Sequence, residues 1–128
     1  MPASARLVRA WPYLTAALFT TVFITPYCGL LFRCGCLQLW AGAARYCNIH
    51  QAMGAHCPFC SHGNLGFYGI AGSAIVALQW LLMAGVARRR PGTLWLLAAG
   101  LVGFFVAGAL VALAFALHDH YPVFLFSK

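Results

Sequence analysis

Residues 94–117 read LWLLAAGLVGFFVAGALVALAFAL, an apolar run without a single charged side chain. At the rise of an α-helix, about 20 such residues cross the hydrocarbon core of a bilayer. Backbone groups in lipid must be bonded within their own segment, so the run predicts a transmembrane helix rather than a strand. Outward from it, 65–87 and 13–32 have the same character. The expected fold is therefore an all-α membrane protein. Three transmembrane helices are expected at about 11–32, 65–87 and 94–117, with a loop over 33–64 between the first two. Of the 128 residues 63% are hydrophobic and 7% charged, and the mean hydropathy is +0.84. No ordinary soluble domain has this composition, and a single integral membrane domain is expected over 1–128.

Trp11 and Pro12 suit an interfacial helix start. Pro26 lacks a backbone donor and clashes with the preceding turn, which predicts a kink or helix end near Val22 to Pro26. Thr20, Thr21 and Thr25 are at hand to satisfy freed carbonyls. The first apolar run is longer than a signal-peptide core and no small-residue cleavage site follows it, so it reads as an anchor. The bulky Tyr27 before Cys28 argues against lipoprotein processing.

Small residues recur at helical spacing: Gly69 with Ser73, then Ala99, Gly103 and Ala107, then Gly108, Ala112 and Ala116. Such rows let helix backbones approach closely in lipid, within the bundle or against a membrane-protein partner. The bilayer is the other expected partner.

Eight basic residues against one acid give a net charge of +7. They form no basic stripe, and no aromatic RNA-binding motif accompanies them, so nucleic acid is excluded as a partner. They act as topology signals: Arg6, Arg9 and Arg88 to Arg90 lie on one side, and Arg33, Arg45 and Lys128 on the other. The positive-inside rule then predicts a cytoplasmic N-terminus with the 33–64 loop and the C-terminus exoplasmic, as in a bacterial inner membrane.

The chemistry is concentrated between Cys28 and His62, which holds all six cysteines and three of the five histidines. A loop of this size without a sizeable core needs a staple, either disulfides or a metal. The piece 37–45 is expected to lie as an interfacial helix with Trp40 at headgroup level. Cys47 and His50 form a CxxH pair and Cys57 and Cys60 a CxxC pair. Together they can close a tetrahedral Cys3His site for zinc, and copper suits the same soft ligands. Cys28, Cys34, Cys36, His56, His62, His118 and His120 are left as candidates for a second site. Asp119 would orient its neighbouring histidines. The residues Tyr121 to Phe126 are expected to lie back on the membrane surface or on a partner.

Two other readings remain open. Six cysteines in an oxidising compartment can form a disulfide framework, making the protein a stapled structural subunit. The CPFC run at 57–60 resembles glutaredoxin-like active sites over four residues. A CxxC at the outer mouth of a transmembrane helix, with further cysteines in the exoplasmic loop, is similar to the layout of the DsbB and vitamin K epoxide reductase enzymes. That resemblance implies thiol–disulfide exchange at Cys57 and Cys60, relayed by Cys34 and Cys36 and linked to a quinone. Those enzymes use four helices where this chain has three.

With Asp119 as the sole acid, paired-carboxylate catalysis is excluded. A c-type haem would need CxxCH, and Ser61 intervenes before His62. The expectation is a membrane protein with a Cys/His-rich, zinc- or copper-binding module, serving as an accessory subunit or metal-handling partner of a membrane complex rather than as an enzyme.

Overall fold

A computed structural model describes residues 3–36, 47–63, 65–90, 92–122 and 124, with the backbone alone for 3–9. The expected interfacial helix at 37–45 lies outside these residues. Helix α1 spans Ala3–Phe32, the short α2 Pro58–Ser61, α3 Leu65–Arg89 and α4 Thr93–His118. A single 3-10 turn occupies Asn48–His50. Within them, Ala10–Phe32, Leu65–Arg89 and Thr93–His118 are long and apolar enough to cross a membrane. The described residues are helical with no strand, as the hydropathy pattern requires.

Of the kink or helix end expected near Val22 to Pro26, the helix end does not occur: α1 runs through Pro26 to Phe32, where the first span was expected to finish. The bundle and the loop end pack around this last stretch, and Ile24, Cys28, Leu31 and Phe32 are all buried there. Packing thus outweighs the hydrogen bond that proline removes. The nearby threonines act elsewhere: Thr20 and Thr21 donate to the carbonyls of Ala16 and Ala17 at 3.1 and 3.0 Å. Helix α3 opens with a π-helical stretch, Leu65–Gly72, before tightening to α at Ser73. Glycines at 66, 69 and 72 leave this wide turn free of side-chain crowding. Ser73 reaches back to the Gly69 carbonyl and, at 3.2 Å, to that of Ile70.

The small-residue rows of α4 are spent inside the bundle. A Cβ at Gly100 would stand 3.2 Å from that of Ala16, and one at Gly103 would stand 3.2 Å from Gln79 Cγ. A Cβ at Gly108 would overlap the Tyr27 ring, whose hydroxyl donates to the Phe105 carbonyl at 2.7 Å. Outward, Leu18, Leu81, Leu101 and Leu117 are exposed. This apolar surface is the one lipid would cover.

Two polar side chains, Gln79 and Thr20, sit fully buried at mid-span among the described residues. Gln79 accepts from the Thr20 hydroxyl at 2.8 Å and donates to the Gly100 carbonyl at 2.6 Å, joining α1, α3 and α4. In hydrocarbon the alternative to these bonds is an unpaired amide, so Gln79 helps hold the three helices together. Replacing Gln79 by leucine keeps the volume and removes the hydrogen bonds to the Thr20 hydroxyl and to the Gly100 carbonyl, which keeps its bond within α4. The variant is expected to lose roughly 1 kcal/mol of stability, measured as a shift in the unfolding of detergent-solubilised protein.

Candidate metal centre

The six cysteines come from four pieces of chain. Cys28 lies in the last turns of α1, on the face turned to the core. Arg33 and Gly35 adopt positive φ, 50° and 87°. The double reversal turns the chain at the end of α1 and brings both Cys34 and Cys36 inward, each 2% exposed or less. A side chain is strained in Gly35's conformation, which explains glycine between these two cysteines. Cys47 caps the 3-10 turn and Cys57 caps α2, with Pro58 at the first helical position. The Cys57 carbonyl accepts from the amides of Cys60 and Ser61 at 3.1 and 2.9 Å, closing the turn that puts the CxxC sulfurs on one side.

All six sulfurs converge. Cys28 Sγ lies 3.3 Å from Cys57 Sγ and 3.6 Å from Cys34 Sγ, and Cys36 Sγ lies 3.9 Å from Cys60 Sγ. These separations exceed a disulfide bond, and every cysteine is a free thiol. Five are buried and Cys60 is half-buried. The sulfurs form four triads, each with its members within 4.8 Å of one another: 28/57/60, 28/34/36, 34/47/57 and 36/47/60. Every cysteine belongs to two triads and no pair recurs.

An aromatic row shares the buried core of the sulfurs. Phe32 and Phe59, both fully buried, meet edge to face at 5.1 Å, and Phe59 continues to Phe67 at 5.8 Å and to Phe115 at 5.1 Å. The C-terminal segment folds back onto this row: Tyr121 and Phe124 pack on Phe32 at 5.5 and 5.9 Å.

Asn48 ties the loop together. Its Oδ1 accepts the Cys57 amide at 2.7 Å, and its Nδ2 donates to the Ala55 carbonyl at 3.1 Å and to the Tyr121 hydroxyl at 2.8 Å. Its own amide donates to the Cys34 carbonyl at 2.9 Å. Tyr121 in turn donates to the Phe32 carbonyl at 3.1 Å. Burial raises the Tyr121 phenol above its ordinary range, keeping it protonated as that donor. Sequence reasoning missed Asn48, because a lone amide in a polar loop carries no periodicity or spacing.

Within the cluster the thiols are not equivalent. Hydrogen bonds from Cys28 and then Cys36 hold Cys34 well below the usual thiol range. Cys47 is pushed up to about 12, chiefly by burial.

The histidines divide. His62 and His118 both bond the Asp119 carboxylate, at 3.0 and 2.8 Å, and the three form a separate exposed group able to hold an ion. His50 is exposed on the 3-10 turn, His56 bonds the Gln51 carbonyl at 3.0 Å, and His120 is exposed in a left-handed backbone. Among the described residues none of these three joins a close ligand set. Of the expected Cys47, His50, Cys57 and Cys60 site, the structure brings the three cysteines into the cluster. Of the second set, Cys28, Cys34 and Cys36 join them, while His62 and His118 gather on Asp119. Comparison with protein-family models, curated proteins and solved structures finds no match.

Replacing Asn48 by alanine leaves the Cys57 amide and the Tyr121 hydroxyl short of partners. A loss of about 1–3 kcal/mol is expected, read as faster alkylation of the cysteines in reduced protein. Hydrogen bonds from His118 and then His62 hold the Asp119 carboxyl below its ordinary range. A carboxylate depressed on folding contributes stability that is complete above its unfolded value, about 4, and is lost as pH falls through the folded one. The stability difference between the wild type and Asp119→Asn should therefore be full at neutral pH, begin to fade only as pH falls below about 4, and be lost as it passes through the lower folded value. It should be small, because the pair is partly exposed. Thermal unfolding in detergent across pH measures it.

Proposed function

We propose that this protein binds soft metal ions at a buried thiol centre where its membrane spans meet the loop. The observation that carries the reading is the sharing of neighbours among the sulfurs, each belonging to two triads. Disulfides need sulfurs sorted into pairs, whereas here every sulfur has four others within 4.8 Å. Thiolate is the ligand that zinc and copper(I) prefer. Burial in one core with Phe32 and Phe59 shields five of the thiols from oxidants, which an exoplasmic site requires.

Thiol exchange with a substrate is the weaker reading, since Cys57 is fully buried and a reactive cysteine needs access. The distribution of basic residues supports a cytoplasmic N-terminus and an exoplasmic centre. An accessory role beside a larger membrane complex fits a chain with one acidic residue and no catalytic constellation.

The test is metal content and free-thiol count on detergent-purified full chain, before and after a chelator. Bound zinc or copper, with thiols that become reactive only after chelation, is the expected result. A metal-free protein whose thiols appear only with reductant would leave a disulfide staple instead.

A further inference from the structure

Resting on that reading of the thiol centre, we propose that it is built for four copper(I) ions in one tetranuclear thiolate cluster, with one ion at each triad. Six sulfurs arranged so that each belongs to two of four triads, with no pair repeated, have the connectivity of an octahedron whose alternate faces are the triads. The pairs that share no triad are Cys28 with Cys47, Cys34 with Cys60, and Cys36 with Cys57. They are the opposite corners.

An ion on each of those four faces is bound by three sulfurs, and every sulfur bridges two ions. Trigonal coordination by bridging thiolates is characteristic of copper(I), a soft monovalent ion without a fixed geometric demand. With metal–sulfur bonds of about 2.3 Å, a trigonal ion spaces its sulfurs about 4.0 Å apart. The separations of 3.3, 3.6 and 3.9 Å, with every triad inside 4.8 Å, bracket that spacing.

Other occupants fit less well. Structural zinc takes four ligands, and each mutually close set of thiols among the described residues is a triad. Four zinc ions on three-sulfur faces would each lack a fourth ligand, and an iron–sulfur cubane on four cysteines would idle two. Copper(I) uses all six. Loading exchanges up to six thiol protons, released to water, for four monovalent ions. The cluster is left with two negative charges and no sulfur is oxidised, provided the copper arrives as copper(I). Five of the six sulfurs are buried in one core with Phe32, Phe59 and Phe67, which limits the access of water and oxygen to the site.

The experiment is an anaerobic titration of the reduced full chain in detergent with copper(I) held by acetonitrile. The readouts are bound copper per chain, cluster luminescence and copper X-ray absorption. The expected result is a break at four copper ions per chain, with luminescence rising to that point. Absorption should show a copper–copper distance of about 2.6 Å, two-thirds of the sulfur spacing. Cys28→Ser and Cys34→Ser should each lower the stoichiometry below four, while His50→Ala leaves it at four. A break at one ion, no copper–copper distance, or loss of binding in His50→Ala with Cys28→Ser unaffected would overturn the cluster while leaving a metal site. Failure of the reduced chain to bind either copper(I) or zinc would overturn both readings.

Discussion

The convergence of six cysteine sulfurs at the end of the bundle is the constraint around which the rest of the chain is arranged. A loop of some thirty residues has too little apolar surface to order itself. Here the sulfurs are its core. Cys28 anchors the cluster to α1, the Gly35 turn brings in two more, and Cys57 and Cys60 arrive on the single turn of α2. Because Cys28 in the last turns of α1 stands beside Cys34 and Cys57, the described part of the loop is held against that helix.

The bundle provides the platform, and it is held by two different kinds of force. Small residues on α4 let Tyr27 and Gln79 approach its backbone, so packing supplies contact where lipid removes the hydrophobic drive between helices. Gln79 adds direction, since its amide has hydrogen-bond partners on both neighbouring helices. At the loop end the aromatic rings of α1, α2 and α4 take over from aliphatic packing and share the core of the thiol centre. Tyr121 and Asn48 fasten that core through a chain of hydrogen bonds from the C-terminal segment to the Cys57 amide.

Such a centre, with five of its six thiols buried beside helices long and apolar enough to cross a membrane, is compatible with a metal-binding membrane protein. The thiols share a core with aromatic rings, while the exposed His62, His118 and Asp119 group lies apart from them. The chain therefore has two chemically distinct ligand sets at one end, soft sulfur within and harder nitrogen and oxygen outside.

Three spans and the concentration of chemistry between Cys28 and His62 were legible in the sequence alone, because hydropathy and length act locally and residue by residue. The CxxC pair was legible too, since one helical turn decides it. The partners of those cysteines were not. The spacing of Cys47 and His50 suggested a ligand pair, but the 3-10 turn leaves His50 exposed, and Cys28 from the distant end of α1 stands beside Cys57 instead. Proline at 26 read as an interruption, yet burial of the following turns carries the helix through it. Gln79 and Asn48 had no signature, because a lone amide gains meaning only from the carbonyls and amides that folding brings to it. Which segments enter the membrane is a sum over neighbours in sequence. Which sulfurs stand together is a matter of distances across the fold, and only the tertiary structure decides it.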